Sequence, residues 1–180
     1  MKTLHIVAIG GLATGLFLFS ALQVKSQNSP KLTDPEIASV AVTANKVDIG
    51  YAELAQQKSK NDEVLKFAET MKRDHNSVID QAVALVKKLN VTPKDNEVSK
   101  KLMSDADKTK KMLNEKSGAA FDKAYIDNEV AYHKAVIATV ENVLVRQSSN
   151  TELKHLLQNV VPTLKAHLEH AEMIQKTVKG

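Results

Sequence analysis

Residues 62–89 read DEVLKFAETMKRDHNSVIDQAVALVKKL, and this stretch decides the fold. Its apolar residues recur at spacings of three and four, the pattern of a helix that turns one face to a bundle core. The positions on that face are Val64, Phe67, Met71, His75, Val78, Ala82, Leu85 and Leu89. His75 therefore occupies a place where an apolar side chain is expected.

Two later segments repeat this anomaly. His133 interrupts an apolar stripe that continues to Leu144, and His167 interrupts one that begins at Leu153. A fourth segment, nearest the start of the chain, carries Asp48 on its apolar face in the same way. Four polar side chains are thus predicted to point into one core.

The capping and breaking residues predict where the helices begin and end. Four long helices are expected, at about 33–59, 62–89, 117–147 and from 151 onward, with Pro162 bending the last of them. The connection at about 93–116 carries a weaker amphipathic piece. The predicted fold class is all-α: a ferritin-like four-helix bundle whose long crossover between the second and third helices carries a short helix. An up-down-up-down bundle is the alternative, which the length of the crossover disfavours.

The start of the chain resembles an export signal. A charged Lys2 precedes an apolar run over residues 4–22, and the pattern predicts cleavage near Ser26. The predicted organisation is a signal peptide at 1–26, a flexible lead at 27–33 and a bundle domain at 34–180. An exported, periplasmic protein without stable membrane insertion is expected, with an uncleaved anchor as the alternative.

Composition excludes several classes of function. Loss of Lys2 and Lys25 lowers the formal charge from +4 to +2, and the chain has only three tyrosines and four phenylalanines, so no nucleic-acid partner is expected. The absence of cysteine excludes disulfides, thiolate metal sites and a cysteine-linked lipid anchor. No protein partner is indicated, and a homo-oligomer is left open.

Counting along the helices predicts that the polar positions share one level. At 1.5 Å per residue, His75, His133 and His167 lie at roughly 20, 22 and 21 Å from the same end, and Asp48 at roughly 17 Å. Three imidazoles and a carboxylate form a sufficient ligand set for one transition metal ion such as zinc, copper or iron. The alternative is a hydrogen-bonded polar layer without a metal.

A second and weaker layer is predicted roughly 5 Å lower. Its members are His170, Glu129, Met71 and Met173. Imidazole with thioether suits cuprous copper, although methionine at such positions commonly fills a core. Glu129 is also expected as a hydrogen-bond partner of a histidine above it.

Enzyme chemistry finds little support in the sequence. Di-iron oxidases need a Glu-x-x-His pair on each of two helices, and His75, His133, His167 and His170 all lack the glutamate three residues earlier. A ferroxidase of that type is therefore not expected, and a nucleophilic elbow or a phosphate loop is missing. An enzyme that uses the bound metal as a Lewis acid stays open.

Three blocks of sequence resemble an exported bacterial family, the domain of unknown function 4142. They are FAETMKRDH at 67–75, FDKAY at 121–125 and PTLKAHL at 162–168. The resemblance implies a ferritin-like fold and export, and it supplies no reaction. The leading hypothesis is an exported metal-binding bundle in metal handling or envelope stress defence. The alternative is a non-enzymatic stress or interaction protein with a purely structural layer.

Overall fold

The computed structural model describes residues 30–178, and every regular element in this part of the chain is helical. The helices are α1 (Asp34–Lys58), α2 (Asp62–Lys88), α3 (Glu97–Asn114), α4 (Gly118–Thr139), α5 (Val145–Gln147) and α6 (Thr151–Thr177). A π-helical turn, Val140–Leu144, joins α4 to α5. The all-α prediction is confirmed, whereas the predicted signal peptide at 1–26 lies outside the described residues.

Contacts at the two ends of the bundle establish the helix directions. At one end, Asn96 before α3 donates a hydrogen bond to the main-chain oxygen of Glu36 in the first turn of α1. At the other end, Lys58 at the end of α1 donates to the main-chain oxygen of Asn114 at the end of α3. Helix α3 therefore carries the chain along the bundle. The predicted crossover is confirmed, and its helix is longer than expected, at 18 residues.

The core consists of two apolar clusters, one on each side of the predicted polar level. The first cluster includes Phe67, Met71, Leu113, Phe121 and Tyr125. The second includes Ile37, Val40, Leu144, Leu153, Leu157 and Leu164. This division places the buried polar residues of α1, α2, α4 and α6 near the middle of the bundle.

Leu32 corrects the prediction of a flexible lead over residues 27–33. Its side chain is buried in the second cluster, and its main-chain nitrogen donates to Gln147 Oε1 at 2.6 Å. Burial of an apolar side chain stabilises a folded protein, so the chain is held against the bundle before α1 begins. Residues 27–29 lie outside the described part of the chain.

Helix α6 is continuous from Thr151 to Thr177 although Pro162 lies within it. None of the helices between residues 30 and 178 combines the length and apolar content needed to cross a bilayer.

Asp34 ties the start of α1 to the loop before α6. Its carboxylate accepts hydrogen bonds from the main chain of Ser149 and Asn150 and from the hydroxyls of Ser148 and Ser149. Partial burial acts to raise the pKa of Asp34, but these hydrogen bonds outweigh it and lower the pKa. The carboxylate is therefore ionised in the folded protein at neutral pH.

Replacing Asp34 with alanine is expected to lower the free energy of unfolding by about 2 kcal/mol, since hydrogen bonds to a charged group are the stronger kind. Urea denaturation at pH 7 measures the loss. Because the folded-state pKa is lowered, the contribution should disappear as the pH falls through that pKa. Asp62→Ala is the matched control, since Asp62 also begins a helix but is exposed. An equal loss of unfolding free energy in Asp34→Ala and Asp62→Ala would contradict the stabilising role assigned to the hydrogen bonds of Asp34.

Candidate metal centre

Three histidines from α2, α4 and α6 meet in the middle of the bundle, and we call His75, His133 and His167 the histidine layer. Their side chains are 5%, 1% and 6% exposed. The ring centroids lie 5.7 Å apart for His75 and His133, 5.3 Å for His75 and His167, and 5.5 Å for His133 and His167. The structure thus brings together, as neighbours, the three histidines that the apolar stripes single out.

Each ring uses one nitrogen to contact a hydrogen-bond acceptor. His75 Nδ1 lies 2.7 Å from Asn45 Oδ1, and His133 Nδ1 lies 3.0 Å from the main-chain oxygen of Glu129. His167 Nε2 lies 3.0 Å from Asp74 Oδ2. Since an oxygen of these kinds only accepts, the nitrogen that faces it must carry the hydrogen.

Other contacts confirm that Asn45 and Asp74 act as hydrogen-bond acceptors for the rings they face. Asn45 Nδ2 donates to the main-chain oxygen of Ala41 at 2.8 Å, so Oδ1 is the atom that faces His75. Partial burial acts to raise the pKa of Asp74, but hydrogen bonds from Arg73 and His167 outweigh it and lower the pKa. Asp74 is therefore an ionised acceptor at neutral pH. Both contacts set the tautomer of the histidine they face.

The second nitrogen of each ring has no hydrogen-bond partner among residues 30–178. These atoms are His75 Nε2, His133 Nε2 and His167 Nδ1. With the hydrogen on the opposite nitrogen, each presents a lone pair in a buried site. One ring nitrogen from each histidine lies within 4.8 Å of one from each of the others.

Asp48 of α1 lies beside the histidine layer with a fully buried carboxylate. Its Oδ2 is 3.4 Å from His75 Nε2 and 3.7 Å from His133 Nε2, and neither carboxylate oxygen has a hydrogen-bond partner within the described chain. These separations are close to the edge of about 3.4 Å of a tetrahedron of ligands around a metal. Asp48 is therefore a buried neighbour of two of the three rings, and its carboxylate also lies close to Glu129.

Burial opposes charge on every group of this centre. Burial, with the neighbouring His133 and His167, lowers the pKa of His75 to about 3. Burial, with His167, lowers the pKa of His133 to about 4. Burial raises the pKa of Asp48 to about 8. In the absence of a cation the histidines are therefore neutral at pH 7 and most of the Asp48 carboxyl groups are protonated.

The predicted second layer is only partly present. Glu129 is fully buried, and its Oε2 lies 3.6 Å from His133 Nδ1, so it adjoins the histidine layer. Burial and the nearby Asp48 raise the pKa of Glu129 well above its usual value. One oxygen or nitrogen atom from each of Asp48, Glu129 and His133 also lies within 4.8 Å of the others. This second group of possible ligands shares His133 with the histidine layer.

The other members of that layer do not form a site. Met173 is 52% exposed, because the buried face of α6 runs through Ala171 and Ile174, and Met173 lies between these positions on another side of the helix. The expectation that Met173 lines the interior is therefore wrong. Met71 is buried in the first apolar cluster, and the His170 ring packs edge-on against Phe67 with centroids 5.3 Å apart.

Asn45 is a hydrogen-bond partner of the histidine layer that the apolar pattern of the sequence does not indicate. It lies three residues before Asp48, so both share one face of α1, and a second polar residue near that face was the available signal. Asp74, the acceptor that faces His167, lies next to His75 in the sequence but contacts a histidine of another helix. His155 of α6 is exposed and lies apart from the buried face of that helix.

A family profile and two solved structures resemble the chain. The profile of the family described as domain of unknown function (DUF4142) matches residues 20–174. The protein DUF305 from Streptomyces coelicolor, described as secreted, has a TM-score of 0.64 and 11% identity, over 77% of this chain and 88% of that one. CopM in its Cu(II)-bound form has a TM-score of 0.61 and 17% identity, over 82% of this chain and 100% of that one. No curated protein sequence matches the chain. At these identities the solved structures establish a shared helical-bundle fold.

Proposed function

The chain belongs to the family described as domain of unknown function DUF4142, and we propose that it binds one transition metal ion through His75, His133 and His167, with Asp48 as the fourth ligand. The observation that carries this proposal is the hydrogen-bond pattern of the histidine layer. Each ring has a buried, hydrogen-free nitrogen without a partner in the described chain, an acceptor holds the opposite nitrogen, and the three rings are neighbours. A cation satisfies all three lone pairs at once.

The ligand set narrows the class of ion. Imidazole suits zinc, copper and iron, whereas calcium and magnesium prefer oxygen ligands. The structure of CopM, which has a similar fold, holds Cu(II), so copper is the first ion to test beside zinc. Three neutral imidazoles and one carboxylate carry a single negative charge, which compensates part of the charge of a divalent ion.

The biological role that fits this site is metal handling by an exported protein. We place the protein outside the cytoplasm because of the apolar run at residues 4–22 with a charged start, and we assign it to metal binding or envelope stress defence. A deeply buried site favours retention of an ion over rapid exchange. Catalysis is not part of this proposal.

A metal-free polar layer is the competing function, and the raised pKa of Asp48 favours it. With its pKa at about 8, the carboxyl group is mostly protonated at neutral pH, and its hydroxyl can donate to His75 Nε2 at 3.4 Å. One proton satisfies only one of the three unpartnered ring nitrogens, however. The competing function would make this protein a structural or interaction module without a cofactor.

Elemental analysis separates the two functions. Protein purified without an affinity tag from the cell envelope should hold close to one equivalent of a transition metal, or should take up one equivalent of zinc or copper in a titration. The same preparation of His155→Ala should behave identically, since His155 is exposed. Less than about a tenth of an equivalent, together with no change in melting temperature on adding either ion, contradicts the metal function.

Metal binding is expected to release about one proton per ion at pH 6. Asp48, with its pKa raised to about 8, must lose a proton to act as a ligand, whereas His75 and His133, with pKa values lowered to about 3 and 4, are already neutral. Affinity should therefore rise about tenfold per pH unit between about pH 5 and 7. Calorimetry in buffers of different protonation enthalpy counts the proton.

Asp48→Asn provides the matched comparison for this pH dependence. Without the carboxyl group the remaining ligands are neutral across the range, so affinity should be lower and should change little with pH above about 5. An unchanged pH slope in Asp48→Asn would show that another group releases the proton, and Asp48 would then lose its place among the ligands.

A further inference from the structure

A cavity of about 110 Å³ adjoins the histidine layer on the side of the second apolar cluster. Helices α1, α2, α3, α4 and α6 all contribute to its wall, and the wall is largely apolar. Representative lining residues are Val86, Leu102, Val136, Leu156 and Val160. This space adjoins the proposed ligand set, since His75 and His167 are among its lining residues.

Small side chains create this space. Five alanines line it, contributed by three of the helices: Ala38, Ala41, Ala44, Ala82 and Ala135. Protein interiors are normally packed with few voids larger than a water molecule, because an empty space forfeits dispersion contacts. A cavity of this size in a bundle with leucine and valine at neighbouring positions therefore indicates room for a ligand.

The charges in the wall are already compensated. Lys101 donates to Asp105 at 2.5 Å, and Arg73 donates to Asp74 at 2.8 Å. An ionic ligand would find no free counter-charge in these groups and would lose its hydration, which is costly in an apolar site. Water is also a poor occupant, because a buried water needs two to four polar partners and the apolar wall supplies few of them.

We propose that this cavity binds an uncharged, apolar organic molecule of single-ring size, with His75 and His167 among the residues of its wall. The volume supports this class: an engineered cavity of about 150 Å³ lined by aliphatic and aromatic residues stays dry and binds benzene. His75 also lines the cavity, and its buried Nε2 has no partner in the described chain. Binding here does not require the proposed metal, so the two proposals fail independently.

Toluene is the probe, and it is added to metal-free protein that comprises the whole chain after the predicted signal peptide. It should raise the melting temperature, with a dissociation constant below about 1 mM, and should show intermolecular NOEs to the methyl groups of Leu156 and Val160. Benzoate, which has the same ring and a negative charge, should produce neither effect. No NOE to these methyl groups at saturating toluene, or equal binding of benzoate, overturns the proposal.

Variants that fill the cavity test whether toluene binds there, and the same substitution at an exposed position is their control. Ala82→Leu and Ala41→Leu place a larger side chain in the space from two different helices, and each should abolish the toluene-induced shift. Ala84→Leu makes the same change at an exposed position of α2 and should keep the shift. A shift that persists in both filled variants would place toluene elsewhere and refute the site, and the NOEs decide the matter if a filled variant does not fold.

Discussion

Replacing His133 with alanine is expected to abolish the stabilisation that zinc or copper gives this protein. His133 is the most deeply buried histidine of the layer, and its ring lies within 5.7 Å of both other rings. In the wild type, a free ion at about a hundred times its dissociation constant should raise the free energy of unfolding by about 2.7 kcal/mol. With one ligand missing and a cavity in its place, that gain should fall close to zero.

The measurement is urea denaturation with and without the ion, because the difference removes any loss of stability caused by the substitution itself. His155→Ala serves as the control, since it removes an exposed imidazole from α6 and should leave the full gain. If His133→Ala retains the gain of the wild type, the ion binds at another place and the histidine layer is structural.

Replacing Phe67 with alanine is expected to destabilise the protein by about 3–5 kcal/mol, the range for truncating a buried aromatic side chain. Phe67 is fully buried in the first apolar cluster. Its ring contacts Tyr125 of α4 at a centroid distance of 6.3 Å and His170 of α6 at 5.3 Å. One ring thus joins three helices below the histidine layer, and its loss leaves a cavity between them.

Val83→Ala is the comparison for this variant, since Val83 lies on the same helix but is 53% exposed. It should change the free energy of unfolding by no more than about 0.5 kcal/mol. A loss below about 1 kcal/mol for Phe67→Ala would mean that α4 and α6 do not pack on α2 as described.

The sequence predicts the fold and the members of the histidine layer for a simple physical reason. Burial demands apolar side chains at a helical spacing, so His75, His133 and His167 stand out as exceptions within their stripes. The regular rise of a helix then converts residue counts into heights, which brings residues far apart in sequence to one level. Asp48 follows from the same argument.

The contacts around the histidine layer depend on how the helices pack, so a periodic pattern in the sequence does not predict them. Nothing in the sequence states that Asn45 faces the Nδ1 atom of His75, since that contact joins α1 to α2. The π turn Val140–Leu144 has no marker such as glycine or proline within it. Met173 lies at the expected height but on the exposed side of α6, because a residue count gives height along a helix and not the face that a side chain takes.

The proposed site also fixes which atom of each ring is available, and this is its sharpest consequence. The acceptors Asn45, Glu129 and Asp74 leave Nε2 free on two rings and Nδ1 free on His167. A metal site that used the opposite nitrogens would require all three of these hydrogen bonds to break.

Anomalous diffraction from crystals of the protein loaded with one equivalent of zinc or copper tests the central claim most directly. We expect a single strong peak about 2.0–2.1 Å from His75 Nε2, His133 Nε2 and His167 Nδ1, with an oxygen of Asp48 completing the site. A fully loaded crystal with no peak between these three rings, or with its peak at His155 or His170, would contradict the account.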